Sequence, residues 1–109
     1  MATTFKNEII KDIGLAPITV LVAGVTSQLT IIGMSLSNLT EYPININVTV
    51  SDDSSVEAFY LKEVVVPPNS SLRAVAAGEK LTLPPAYSLN IWADEDESID
   101  AVISYVEIT

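Results

Sequence analysis

Apolar and polar residues alternate almost without a break over residues 42–51, YPININVTVS. Tyr42, Ile44, Ile46, Val48 and Val50 fall on one side. Pro43, Asn45, Asn47, Thr49 and Ser51 fall on the other. Successive side chains of a strand point to opposite faces, so the segment reads as a half-buried antiparallel strand, whereas a helix would scatter these apolar residues around its axis. Such a strand belongs to a sheet with one side on a core and the other in water or on a partner.

The same period recurs along the chain. In residues 5–13, Phe5, Asn7, Ile9 and Lys11 oppose Lys6, Glu8, Ile10 and Asp12, a mixed pattern that suits an edge strand or an arm. Its charges discourage open-edge pairing. A short strand, ITVLV, covers 18–22. In residues 28–37, QLTIIGMSLS, Leu29, Ile31 and Gly33 oppose Thr30, Ile32, Met34 and Leu36. Apolar residues on both sides place this strand centrally in a sheet, and Gly33 marks a bulge or a close backbone approach. In residues 56–66, Phe59, Leu61, Glu63 and Val65 oppose Ala58, Tyr60, Lys62 and Val64, so Phe59, Leu61 and Val65 are expected inside and Lys62 outside. Brief strands follow at 71–76 and 80–83. Tyr87, Leu89 and Ile91 then alternate with Ser88, Asn90 and Trp92. In the last strand, 99–108, Ile99, Ala101, Ile103 and Tyr105 oppose Val102, Ser104, Val106 and Ile108.

Turn residues separate these runs. Gly14 and Pro17 end the first, and Ala23-Gly24-Val25-Thr26 turns the second, where Gly24 permits a positive φ that a β-branched residue would resist. Residues 38–41 and 52–55 are turn-rich. Pro67-Pro68-Asn69-Ser70, Gly78, Pro84-Pro85 and the acidic run 94–98 punctuate the rest. Seven to nine strands and no amphipathic helix predict an all-β chain, an antiparallel two-sheet β-sandwich, jelly-roll-like or immunoglobulin-like. Trp92 takes no immunoglobulin role, because the flanking cysteine pair is missing. The expected core includes Ile31, Ile46, Val48, Phe59, Leu61, Leu89, Ile91 and Ile103. Residues 1–13 form an N-terminal arm or edge strand, and 14–109 form the β-sandwich domain.

At 109 residues the chain holds one domain with one modest core. It has no cysteine, which removes disulfides, thiolate nucleophiles and sulfur-based zinc sites. It has no histidine, which removes imidazole bases and most transition-metal sites. No nucleotide-binding loop is present. The expectation is therefore a non-enzymatic protein with no catalytic, cofactor-binding or metal residue and no cofactor. A formal charge of −9 repels phosphate backbones and argues against nucleic acid. No apolar run reaches the roughly 18 residues that cross a bilayer, so no membrane partner is expected. The opening MATTFKNEII lacks the basic region and apolar run of a secretory leader.

A few clusters carry a sharper reading beside a plain one. Asp94, Glu95, Asp96, Glu97 and Asp100 have the oxygen chemistry of a calcium loop, but not the EF-hand spacing or its glycine. Solvated carboxylates at a hairpin tip are the plainer expectation, and Asp52 and Asp53 read the same way. A glycosidase needs two carboxylates at fixed separation across a cleft, which a sequence does not display. Asn38-Leu39-Thr40, Asn47-Val48-Thr49 and Asn69-Ser70-Ser71 match the short glycosylation pattern and read as chance. Tyr42, Tyr60, Tyr87, Tyr105 and Trp92 offer the rings of a carbohydrate platform, yet aromatics in strands ordinarily pack across the sheet.

The order of elements resembles that of small virion structural proteins of tailed bacteriophages. An extended arm leads to a short strand and the turn Ala23-Gly24-Val25-Thr26. A strand ending Ser35-Leu36-Ser37-Asn38 follows, then Val48-Thr49-Val50. An L-x-x-V-x-V-P-P-x-S-like segment covers 61–70, G-E-K-L-x-L covers 78–83, and the chain closes on Glu107-Ile108-Thr109. The resemblance covers nearly the whole chain and carries no functional residue with it. It implies a virion protein acting through protein contact, most simply a capsid decoration or cement protein. A neck or tail component is the alternative within that family. The resemblance further implies a homo-oligomer, with a trimer favoured, bound to other virion proteins such as the major capsid protein. Outside the family, a carbohydrate-binding β-sandwich module is the competing reading.

Overall fold

The computed structural model describes residues 2–75 and 78–109. Nine strands build it: β1 (Thr3–Ile13), β2 (Ile18–Val22), β3 (Gln28–Asn38), β4 (Ile44–Ser51), β5 (Glu57–Val66), β6 (Ser71–Val75), β7 (Leu81–Leu83), β8 (Ser88–Ala93) and β9 (Ile99–Ile108). They form two antiparallel sheets. One runs β1-β9-β3-β6, with β7 also paired to β3. The other runs β2-β8-β4-β5. Ala76, placed by the sequence at the end of the sixth strand, lies outside the described residues.

The pairings nest. β1 pairs with β9, β2 with β8, β3 with β6 and β4 with β5. The chain is one long antiparallel ribbon, doubled back at the β4–β5 hairpin and wound into two sheets, which is the jelly-roll winding. The expected sandwich is present, and this order selects the jelly roll from the two expected forms.

The core lies between the sheets. Ile31, Met34 and Leu36 from β3, Ile46 and Val48 from β4, Leu89 and Ile91 from β8, and Ile99 and Ile103 from β9 are fully buried. Burial of each such side chain contributes about 1.5–3 kcal/mol before the entropy of ordering it is counted. The expected inner face of the last strand, Ile99, Ala101, Ile103 and Tyr105, is buried throughout.

Bulges correct the expected faces elsewhere. β5 carries two register shifts against β4, so that Ala58, Leu61, Val64 and Val66 stand opposite Val50, Val48, Ile46 and Ile44. Each shift inserts a residue and resets the alternation. Glu63, in the second bulge, sits at φ 48 and donates its N–H to Asn47 Oδ1 at 2.9 Å. Phe59 is therefore 49% exposed, Val65 is also exposed, and Leu61 is half-buried. In β3 a shift between Ile31 and Gly33 puts Leu29, Ile31, Met34 and Leu36 all inside. Gly33 does mark a bulge, but no close approach: a Cβ there would meet only Ser104 Cβ, at 3.8 Å. Tyr42 precedes β4 and is exposed rather than core. Gly24 is not at positive φ; Gly78, at φ 84, is the glycine that is.

Residues 3–13 form an edge strand of this sheet. Lys6 Nζ meets Glu107 Oε1 at 2.7 Å, and Lys11 Nζ meets Asp100 Oδ2 at 2.9 Å. Asp12, at φ 56 in the β1 bulge, donates its N–H to Asp100 Oδ1 at 3.0 Å.

Candidate interaction face

The side of the five-stranded sheet that faces away from the core is built from cross-strand rows. In one row Phe5, Val106, Thr30 and Thr82 stand side by side. In the next stand Asn7, Ser104 and Gly33, with Ser104 Oγ donating to Asn7 Oδ1 at 2.7 Å. In the third stand Ile9, Val102, Ser35 and Arg73. Ile32 projects from the β3 bulge between two shallow hollows of about 280 and 290 Å³. Arg73 and Val102 line the first hollow, and Phe5 and Asn7 line the second.

This face is apolar and open. Phe5 is 75% exposed, Ile9 70%, Val102 46% and Ile32 39%. Cross-strand pairing of such side chains adds only about 0.2–1 kcal/mol per pair to the chain's own fold and leaves much of their surface in water, and exposed apolar patches mark contact surfaces. The face is also nearly free of acid. None of the 14 acidic residues stands in these three rows; Asp100 stands in the next pair, opposite Ser37, and it is ion-paired with Lys11. Partial burial raises the Asp100 carboxyl pKa. Hydrogen bonds from Lys11 and the Asp12 N–H, with the Lys11 charge, outweigh that and hold it below its ordinary value. Lys6 and Lys11 are held above theirs, chiefly by hydrogen bonds to Glu107 and Asp100.

The outer side of the four-stranded sheet is different. Thr19 Oγ1 donates to Asn90 Oδ1 at 2.7 Å, and Asn90 Nδ2 donates to Ser51 Oγ at 3.2 Å and Glu57 Oε2 at 3.3 Å. Thr49 Oγ1 also donates to Glu57. This polar ladder crosses all four strands and explains why Thr49 and Asn90 are buried on a face expected to be in water. Beside it lies an open groove of about 580 Å³, lined in part by Thr19, Ser51, Asp52, Asp53, Glu57 and Asn90.

The sequence candidates disperse. Tyr105 is in the core, Tyr60 and Tyr87 pack against it, and Tyr42 is exposed in a loop. Burial, with Glu79 nearby, pushes the Tyr60 hydroxyl pKa up. Trp92 pairs instead with Phe59, ring centroids 5.8 Å apart, and Lys62 Nζ lies 5.4 Å over the Phe59 ring. Asp94 Oδ1 accepts the Asn45 N–H at 3.1 Å, while Asp100 serves Lys11. Among the described residues no group of three or more carboxylates converges to hold a metal ion. Asp52 Oδ1 accepts the N–H groups of Ser54 at 2.8 Å and Val56 at 2.9 Å, which shapes the β4–β5 turn. The sequence places Phe5 and Ile9 on one face of the first strand, but it did not point to Ile32, Val102 and Arg73 as their neighbours on this surface. The signal for Val102 was its place on the apolar second face of the last strand.

No protein-family model matches the chain, and no curated protein matches it in sequence. Three solved structures share the fold. A chain from Bacillus endospore appendages, a family of disulfide-linked pili, superposes with TM-score 0.59 at 10% identity, over 98% of this chain and 88% of that one. A chain of the T13 IBDV viral particle gives 0.55 at 11% identity, over 96% of this chain and 30% of that one. The infectious bursal disease virus VP2 subviral particle gives 0.52 at 12%, over 94% and 32%. The present chain thus spans about a third of the two capsid chains. The likeness is to the β-sandwich folds of a bacterial pilus and an icosahedral capsid rather than to tailed-phage components.

Proposed function

We infer that the protein is a non-enzymatic structural subunit that works through protein–protein contact in a surface assembly. The observation that carries this reading is the exposed, acid-poor apolar face made by Phe5, Ile9, Ile32 and Val102. The folded chain draws only modest cross-strand packing from these four and leaves Phe5 and Ile9 mostly in water. A partner that covers them gains roughly 25 cal/mol per Å² of apolar surface removed from water. The jelly roll shared with capsid and pilus chains supports the same reading at the level of fold. The chain has no cysteine, so no disulfide of its own joins it to a neighbour.

The finer reading is a virion component of a tailed bacteriophage, a decoration or cement protein seated on the major capsid protein, with a trimer as the favoured oligomer. Neck and tail positions are the alternatives. Immunogold labelling of purified virions separates them. Label over the shell supports decoration, label at the neck or tail moves the protein there, and absence from purified particles ends the virion reading. In addition, Ile9→Asp is expected to abolish retention on the particle while leaving the fold intact, because Ile9 is exposed on an edge strand.

The sugar-binding reading rests on Trp92 beside the polar ladder. It gains little from the geometry, since Phe59 tilts against Trp92 and Lys62 covers the Phe59 ring. Glycan-array binding lost in Trp92→Ala would favour it.

A further inference from the structure

The two outer faces of the sandwich are complementary to each other. The five-stranded face offers Phe5, Ile9, Ile32 and Val102, with Arg73 at its far side on β6. Arg73 has no ion pair among the described residues. The four-stranded face offers exposed Val22, Phe59 and Val65, with Asp52, Asp53 and Glu57 along its groove and no cation lining that groove. Each face is four strands wide at its core path, so the span from first to last strand is roughly 14 Å on both.

We propose that the five-stranded face docks on the four-stranded face of a second copy of this chain, seating Arg73 against the groove lined by Asp52, Asp53 and Glu57. This proposal rests on the structural reading above and names the partner. Charge decides the mode. Two copies at −9 repel wherever acidic surfaces meet, and the five-stranded face is the side that brings almost no acid to a contact. A symmetric contact of that face with itself would bury Arg73 with no carboxylate beyond the already paired Asp100, and an uncompensated buried charge is costly. Docking on the acidic groove supplies the missing counter-charges and brings apolar side chains together beside them. Size is sufficient. The molecule measures 45 × 28 × 21 Å, and a face of its two longer dimensions exceeds the roughly 800 Å² that a standard interface takes from each partner. Because the two surfaces differ, the contact is head-to-tail and repeats until it closes a ring or extends as a rod.

Light scattering after gel filtration, across a concentration series, tests this with two variants. Arg73→Glu spoils the five-stranded face. Asp53→Lys combined with Glu57→Gln spoils the groove, and the glutamine side chain keeps an acceptor for Thr49 and Asn90. Circular dichroism and thermal unfolding of each confirm the fold. The wild type is expected to grow in mass with concentration, and each variant alone is expected to need about tenfold more protein to associate. An equimolar mixture of the two variants is expected to stop at a one-to-one dimer, because one intact face of each kind remains. A wild type that stays monomeric at every concentration overturns the self-docking and leaves the particle-binding test above standing. A discrete dimer that ignores the groove variant also overturns it, in favour of a symmetric contact.

Discussion

Asn38 donates its side-chain amide to the carbonyl of Val66 at 3.0 Å, tying the end of β3 to the end of β5 across 28 residues of chain. The same amide reaches Tyr42 O at 2.7 Å, and Oδ1 accepts both the N–H and the hydroxyl of Thr40 at 2.8 Å. The side chain and the Val66 carbonyl it meets are buried, so that carbonyl left alone is an unsatisfied polar group. Asn38→Asp keeps the shape but cannot donate. It is expected to cost about 2–4 kcal/mol, lowering the thermal midpoint by roughly 4–8 °C per kcal/mol. Urea unfolding with an unchanged slope checks this. The same burial keeps Asn38 from serving as a glycan acceptor, despite the matching triplet.

Two glycines are expected to behave oppositely. Gly33→Ala places its Cβ in ordinary contact and is expected to be neutral or stabilising by up to about 1 kcal/mol, since alanine restricts the unfolded chain. Gly14→Ala brings its Cβ within 3.1 Å of Asp96 Cα and the Glu97 backbone nitrogen, neither of which moves freely. It is expected to destabilise by about 1–3 kcal/mol. Parallel denaturation curves of the two variants decide it.

The bulges in β5 make a third prediction. Phe59→Ala is expected to cost about 1 kcal/mol, the scale of one aromatic contact with Trp92, rather than the 3–5 kcal/mol of a core phenylalanine. Ile46→Ala, in the fully buried core, is expected to cost about 2–5 kcal/mol. A larger loss for Phe59 than for Ile46 would mean that β5 keeps the unbroken alternation.

These contrasts show what was legible in the sequence. Strands without an internal bulge kept their period, so the buried faces of β4 from Ile44 on and of β9 could be read residue by residue. β3 and β5 were placed correctly, but their faces were not. An extra residue in a ladder leaves no mark on composition, and it reverses every side chain beyond it. The positive φ at Glu63 is the local sign of the second β5 bulge, and glutamate does not advertise it. The nested pairing was also out of reach, because it is settled by contacts such as Thr3 with Ile108, made between the two ends of the chain. Phe5 and Ile9 were visible as one face of the first strand. Their neighbours Val102 and Ile32 became part of the same surface only through register.

The β1–β9 seam predicts an acid dependence. The Asp100 carboxyl titrates lower in the folded chain than its ordinary value of 3.8, so its contribution is whole above that pH and is lost as pH falls through the folded value. Asp100→Asn is therefore expected to be less stable than wild type at neutral pH, with the gap closing below pH 3.8. On the alkaline side the raised Lys6 and Lys11 contribute fully below pH 10.5, and their contribution fades as pH climbs through the folded values. Thermal midpoints of the wild type and variant across pH check both limbs.

The absence of cysteine allows the most direct test of the central claim, that the face carrying Ile9 and Val102 is covered by protein in the assembled state. A single thiol at Ile9→Cys becomes the only one in the chain, and Val25→Cys, in the exposed turn between β2 and β3, supplies the control. Maleimide labelling is followed in dispersed protein and in the assembly. Both thiols are expected to react freely when the protein is dispersed, and only the thiol at position 9 is expected to be protected on assembly. Equal labelling of position 9 in the two states would contradict the account.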